Sequence, residues 1–275
     1  MARRQAATSA ADTVGNDLGA ARRPRRRFAG WAAVLGSAFA AAFTAWSGDD
    51  AARAQMPVAI ELVLAVDTSR SVDDSEFALQ MKGIAWSFRA PEIIALIGQR
   101  RGVAVTLIQW SSEVDPRFVI PWHVLHDRAT VLAFADRVER ATREPSRSFT
   151  AMGRAIDFAI ELIGNNAFAG SELKIDVSAD GRNNAGPLPS TTWLRASALG
   201  ISINGLPILI DTFNLDTYFR ENVITGPGAF VEIATDYDDF AGVFLRKLRR
   251  ELTPFISRDD QAPDVLLFAS RQSLR

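Results

Sequence analysis

The chain has 275 residues, of which 48% are hydrophobic and 23% charged, a composition typical of a globular protein with one sizeable core. It contains no cysteine, which excludes disulfides, thiolate nucleophiles, Cys-ligated zinc and lipid attachment through an N-terminal cysteine. The 31 basic residues nearly balance the 32 acidic ones, but residues 1–54 hold eight arginines and only four aspartates. The remaining 23 basic and 28 acidic residues give a net charge of −5, so nucleic-acid binding has no basic patch on which to rest.

Residues 1–54 are predicted to be an export signal. Five arginines at 22–27 precede an uncharged, alanine-rich stretch of 18 residues at 29–46, and a small-x-small cleavage pattern ends at Ala54. Arg25-Arg26-Arg27-Phe28 also resembles a twin-arginine signal. We therefore expect a periplasmic or secreted protein. A membrane association is expected only if this segment stays uncleaved, because its apolar run is at the lower length limit for a span.

Beyond the signal, apolar segments alternate with amphipathic ones. Ala59–Val66 is apolar except for Glu61, which predicts a central strand covered on both faces. Asp73, three residues before Glu76, is a capping-box arrangement and predicts a helix start. Further strands are predicted at 102–110, 118–125 (an edge strand containing a proline), 173–179, 201–210 and 229–234, and helices around 131–138 and at 151–163, 190–199, 216–223 and 237–252. The alternation predicts an α/β fold over residues 55–256, with a mostly parallel central sheet and helices on both faces, followed by a tail at 257–275.

Polar loops lie where such a sheet binds ligands, at the carboxyl ends of its strands. Asp67-Thr68-Ser69-Arg70-Ser71 follows the first strand, and Asp180-Gly181 follows the strand that begins at Leu173. A third polar loop, Ser148-Phe149-Thr150, directly precedes the predicted helix at 151–163. We expect these loops to lie close together.

This arrangement resembles the von Willebrand factor type A (vWA) family, whose metal-ion-dependent adhesion site (MIDAS) combines a D-x-S-x-S loop, a Thr and an Asp. The resemblance covers roughly residues 57–252, and the segments NGLPIL and GPGAF resemble an exported bacterial subgroup of uncharacterised function. It implies a Rossmann-like vWA fold and a divalent cation, Mg²⁺ in the first place with Mn²⁺ or Ca²⁺ as alternatives. It also implies a protein partner that offers an exposed Asp or Glu to the metal. The matching metal ligands are Asp67, Ser69, Ser71, Thr150 and Asp180.

The residue types alone are consistent with that chemistry. Mg²⁺ binds six oxygen ligands and usually keeps some of its waters. Alternate residues of a D-x-S-x-S loop can converge on one point as the chain leaves the sheet. Two carboxylates do not exceed the charge of the ion, and an open position would attract a partner's carboxylate. The vWA family binds its partners through such a metal, so the resemblance implies a binding protein rather than an enzyme.

Several alternatives stay open at this stage. A strand that ends in Asp67 also begins the aspartate-nucleophile phosphatases, although their second Asp is replaced here by Ser69. The G-x-S-x-G motif of a serine hydrolase and the glycine-rich turn of a dinucleotide site after the first strand are both missing from the sequence. The site could also be a relic in a purely structural domain.

Individual residues also have simpler interpretations. Asp67 and Asp180 could cap helices or turns, and Asp73, Asp74 and Glu76 suit a helix start. Arg70 is solvated or steers an acidic partner, and Asn183 and Asn184 shape the rim of the site or turn the chain. His123 and His126 are expected to be structural, and the role of Asp176 has no explanation.

Overall fold

The computed structural model describes residues 55–112, 116–144, 149–210 and 212–254. The predicted signal at 1–54 and the predicted tail at 257–275 lie outside these residues. None of the helices in the described ranges combines the length and the apolar character that a bilayer crossing requires.

Five strands form one sheet. They are β1 (Met56–Asp67), β2 (Val103–Trp110), β3 (Arg117–Leu125), β4 (Phe168–Ala179) and β5 (Ile201–Pro207). Their order is β3-β2-β1-β4-β5, and only the edge strand β3 runs antiparallel to its neighbour. The first predicted strand is therefore central, as expected. Because β1 lies between β2 and β4, residues that follow β1 and β4 emerge side by side at the same edge of the sheet.

Helices cover both faces of the sheet. They are α1 (Asp74–Arg89), α2 (Pro91–Gly98), α3 (Arg128–Glu139), α4 (Met152–Gly164), α5 (Trp193–Ala198), α6 (Leu215–Asn222) and α7 (Phe240–Leu252). Successive residues of β1 alternate between two cores. Leu62 and Leu64 pack with α1, α2, α3 and α7, whereas Val63 and Ala65 pack with α4, α5 and α6. The mostly parallel α/β fold predicted from the sequence is confirmed.

Two elements differ from the sequence prediction, and α2 was not predicted. The helix expected at 190–199 is a 3-10 turn at Pro189–Thr192 followed by the short α5. The hydroxyls of Thr191 and Thr192 bond the carbonyls of Leu188 and Pro189 at 2.6 and 2.7 Å, so side chains compete with the backbone for the helical acceptors.

The strand expected at 229–234 is not a strand of the five-stranded sheet. Its backbone pairs with this part of the sheet in isolated bridges rather than a ladder, Gly205 of β5 with Val231 and the following Ile208 with Ala234. The Asn204 side chain, rather than a backbone carbonyl, accepts the Phe230 N–H at 3.0 Å, which interrupts a regular ladder. Gly226, at a φ of 96°, lets the preceding turn approach the Ile201 carbonyl so closely that a Cβ would clash with it.

Candidate metal centre

Four of the five predicted ligands meet at the carboxyl ends of β1 and β4. Asp67 is the last residue of β1, and Asp180 directly follows β4. The Ser71 hydroxyl donates to Asp180 Oδ1 at 2.7 Å, and the hydroxyl oxygens of Ser69 and Ser71 lie 3.2 Å apart. The D-x-S-x-S loop and the Asp180 loop therefore form one polar cluster.

Asp67 is the most buried member of this cluster, with 0% of its surface exposed. Its Oδ1 accepts the Ser69 N–H at 2.7 Å, but its Oδ2 has no hydrogen-bond partner among the described residues. Burial raises the pKa of the Asp67 carboxyl well above its ordinary value, and the nearby Asp180 carboxylate raises it further. A buried carboxylate oxygen without a donor is costly unless a proton or a cation satisfies it, so the cluster fits a coordinated metal ion.

Thr150, the fifth predicted ligand, is held beside the cluster by the loop that follows β4. Its N–H donates to Asn184 Oδ1 at 2.7 Å, and its carbonyl accepts the Asn184 N–H at 3.0 Å. Asn183 Oδ1 accepts the N–H of Gly153, in the first turn of α4, at 3.1 Å. The two asparagines therefore join the Thr150 loop to the Asp180 loop, which agrees with the expectation that they shape the rim of the site.

Ser71, Thr150 and Asp180 line the same cleft, which has a volume of about 360 Å³ and opens to solvent. Arg182, Ile210 and Thr212 are among its other lining residues. Across the described ranges, no three His, Cys, Asp or Glu side chains cluster in a way that could hold a metal. The donor set of the candidate centre is instead two carboxylates and three hydroxyls, which are the hard oxygen ligands that Mg²⁺ accepts.

Two residues that support the cluster were missed by sequence reasoning. Arg143 Nη2 donates to the carbonyls of Thr68, Ser69 and Val72, so its guanidinium holds the turn of the D-x-S-x-S loop. The Tyr237 hydroxyl donates to Asp180 Oδ2 at 3.2 Å, and burial, followed by the charge of Asp180, raises the pKa of Tyr237. Neither residue lies at a sequence spacing from the D-x-S-x-S motif that would indicate a contact, so these contacts could not be predicted from the sequence.

The acids after the motif have the helix-start role that the spacing predicts. Asp73 Oδ1 accepts the Glu76 N–H at 2.9 Å, and Glu76 Oε2 accepts the Asp73 N–H at 2.7 Å, which is a complete capping box. Asp74 pairs with Arg143 at 3.1 Å, and Arg70 is exposed.

The two histidines and Asp176 lie away from the cleft. His123 Nδ1 is 2.6 Å from the Pro121 carbonyl oxygen, and His126 Nε2 is 3.6 Å from Asp127 Oδ2. Asp176, the unexplained acid of β4, lies 2.6 Å from Lys247 Nζ of α7, which is also 2.9 Å from Glu251 Oε1. This buried ion cluster attaches α7 to the sheet. Burial raises the pKa of Asp176 to about 6.

One protein family model matches most of the chain. The profile of the family described as "Protein of unknown function (DUF1194)" matches residues 57–256. No curated protein matches the sequence. Proximal thread matrix protein 1 (PTMP1) from the mussel byssus is a similar solved structure, with a TM-score of 0.55, 13% identity and coverage of 72% of this chain and 49% of that chain.

Two further solved structures have the same fold. A von Willebrand factor type A protein from Catenulispora acidiphila gives a TM-score of 0.51 at 17% identity and covers 70% of this chain and 42% of that chain. The vWF domain of the type V pili tip protein Mfa5 from Porphyromonas gingivalis gives 0.50 at 10% identity, covering 74% and 99%. This chain spans about half the length of PTMP1. The chain belongs to the DUF1194 family, and its described part has the von Willebrand factor type A fold.

Proposed function

We propose that this chain is an exported, metal-dependent protein-binding domain that engages an acidic residue of a partner protein. The observation that carries the proposal is the buried Oδ2 of Asp67, which has no hydrogen-bond partner in the part of the chain that the structure describes, within a cluster of hydroxyls and carboxylates. That cluster borders a cleft open to solvent, so a bound cation would be within reach of another protein.

The residues that would hold the cation are Asp67, Ser69, Ser71, Thr150 and Asp180. The bound ion would supply an electrophilic position for an incoming carboxylate. Two carboxylates match the charge of a divalent ion, and three neutral hydroxyls leave its attraction for a further anion largely intact. Mg²⁺ suits a small set of oxygen ligands, Mn²⁺ is the nearest substitute, and Ca²⁺ takes six to eight oxygens at longer distances.

A binding role fits the site better than phosphoryl transfer by Asp67. The carboxylate that would have to attack a phosphate is fully buried, and Ser69 stands where an aspartate-nucleophile phosphatase carries its acid. The folds it resembles include a byssus thread matrix protein and a pilus tip protein, which supports an extracellular interaction role for this chain as well. The arginine-rich, alanine-rich segment at 1–54 supports export to the periplasm or beyond.

A comparative pull-down tests this proposal. The full chain is immobilised and exposed to a periplasmic extract in Mg²⁺ or in EDTA, alongside Asp180→Ala and the cap variant Asp73→Ala. We expect a retained protein that EDTA releases, that Asp180→Ala fails to retain and that Asp73→Ala still retains. A protein retained as strongly in EDTA as in Mg²⁺, or retained equally by Asp180→Ala and the wild type in Mg²⁺, would contradict a metal-dependent binding function.

A further inference from the structure

Four large apolar side chains stand exposed on the loops that surround the metal cleft. Ile210 lines the cleft and is 41% exposed, and Phe149, next to Thr150, is 54% exposed. Phe213 follows the cleft residue Thr212 and is 83% exposed, and Leu188, whose backbone lies against Gly153 three residues after Thr150, is 56% exposed. We call Phe149, Leu188, Ile210 and Phe213 the apolar rim. A scattered exposed apolar residue needs no explanation, but several around one polar cleft indicate a contact surface.

The apolar rim is tied to the metal loops by the same contacts that order them. Arg182, which lines the cleft, donates from Nη2 to the Phe213 carbonyl at 2.8 Å, and its guanidinium lies 5.4 Å from the centroid of the Tyr218 ring. Asn184, which bonds both the N–H and the carbonyl of Thr150, also fixes the backbone next to Phe149. The next residue after Phe213, Asn214, has a φ of 54°, a left-handed conformation that non-glycine residues adopt at a cost. The rim residues are thereby positioned beside the cleft.

The chemistry of this face is anionic at its centre only when the metal is absent. With a divalent ion bound, the charges of Asp67 and Asp180 are balanced, and the exposed Arg70 adds a positive charge between Ser69 and Ser71. The face then favours an acidic group at the cleft and an apolar group at the rim. Residues two apart in an extended chain point to the same face and lie about 6.6 Å apart, so both groups can come from one short segment.

We infer that the metal cleft and the apolar rim form one docking surface for a protein segment in which an Asp or Glu stands within two residues of an aromatic or branched apolar side chain. This inference rests on the proposed function and specifies its partner. Charged and polar side chains predominate in the lining of the cleft, which suits this face poorly to an apolar bilayer. A protein segment satisfies both the acidic and the apolar requirement.

Selection from a random-peptide phage library tests the inference. The full chain is immobilised in Mg²⁺, and bound phage are eluted with EDTA. We expect the eluted peptides to carry an Asp or Glu with an aromatic or branched apolar residue within two positions. Acidic peptides without that neighbour would overturn the inference and leave the proposed function standing, whereas the absence of any EDTA-eluted peptide would contradict both.

A matched pair of variants assigns the preference to the rim. Affinity of the selected peptide is measured for the wild type, Phe149→Ser/Phe213→Ser and Trp86→Ser. Trp86 is 53% exposed in the last turn of α1, at the end of that helix remote from the metal loop. We expect the double variant to bind at least about tenfold more weakly, as loss of aromatic contacts at an interface predicts, and Trp86→Ser to bind as the wild type does.

Two further measurements complete the test. The double variant should keep the Mg²⁺-induced rise in melting temperature of the wild type, because it retains every metal ligand. Equal peptide affinity in the wild type and the double variant would refute the docking role of the rim. A Mg²⁺-dependent dimer of the wild type that the double variant fails to form would assign the rim to a second copy of the chain and overturn the inferred partner.

Discussion

Replacement of Lys247 by methionine tests how the closing helix α7 is attached to the sheet. Lys247 is fully buried, and its ammonium contacts the buried carboxylates of Asp176 and Glu251 at 2.6 and 2.9 Å. Burial alone would lower the pKa of Lys247, but the two carboxylates raise it. Methionine keeps most of the side-chain volume, so Lys247→Met isolates the loss of the charge.

The magnitude follows from the two carboxylates that the variant leaves in the core. The folded state must either bury an uncompensated charge or protonate an acid. At pH 7.5, protonation of a carboxyl whose pKa in the unfolded chain is near 4 costs about 5 kcal/mol, which is an upper bound on the penalty. Breaking a buried ion pair from one side typically costs about 3–5 kcal/mol. We therefore expect Lys247→Met to lower the free energy of unfolding by about 3–5 kcal/mol at pH 7.5, which is a large share of a typical domain stability.

Urea denaturation followed by circular dichroism measures this loss, at pH 7.5 and 5.5 and in the presence of EDTA. The difference in the free energy of unfolding between wild type and variant should be smaller at the lower pH. It should fall by about 1.4 kcal/mol for each pH unit over which one carboxyl is protonated only in the folded variant. Arg246→Met, at the exposed neighbouring position of α7, is the control and should stay within about 0.5 kcal/mol of wild type. A loss below about 1 kcal/mol at pH 7.5, or an equal loss at both pH values, would refute the role assigned to this ion cluster.

Three further changes have defined outcomes in the same denaturation assay. Because the folded pKa of Asp176 is raised to about 6, the folded state keeps a proton that the unfolded state loses, so this group's contribution to stability falls as pH rises from about 4 to 6. Asp176→Asn should remove that fall, and an unchanged pH slope would count against it. Gly226→Ala should destabilise the folded protein by more than about 1 kcal/mol, because an alanine there would adopt a left-handed φ and its Cβ would clash with the Ile201 carbonyl. Gly98→Ala, with open space around the Cβ, is the control and should be neutral or stabilising. Equal effects of the two changes would contradict this explanation. Asp73→Ala should cost about 1 kcal/mol by removal of the capping box, and a neutral result would contradict that role.

The sequence predicts the parts of this molecule that depend on local patterns. The continuous apolar run of β1 predicts a strand covered on both faces, and the spacing of Asp73 and Glu76 predicts the helix cap. The fold also brings the predicted ligand loops together, because residues that follow parallel strands emerge at one edge of the sheet. The metal-binding role of those residues stays a prediction.

Contacts between residues far apart in the sequence could not be predicted from such local patterns. Arg143 reaches the carbonyls of a loop more than 70 residues earlier, and a lone arginine has no spacing that reveals such a bond. Asp176 is inexplicable within its strand, since its partner Lys247 belongs to a helix about 70 residues later. The segment at 229–234 has the composition of a strand, but the Asn204 side chain takes a backbone donor that a ladder would use.

Calorimetric titration of Mg²⁺ into the chelator-treated full chain, with a thermal melt of the same sample, tests whether the cluster around Asp67 binds a divalent ion. We expect one ion bound per chain. We also expect the melting temperature to rise by about 5–10 °C when the ion is at 100 times its dissociation constant, which corresponds to about 2.7 kcal/mol in a domain of about 200 residues. Asp180→Ala should abolish both the heat of binding and the rise, and Asp73→Ala should keep both. No binding heat and no rise with Mg²⁺, Mn²⁺ or Ca²⁺ would contradict metal binding by these residues.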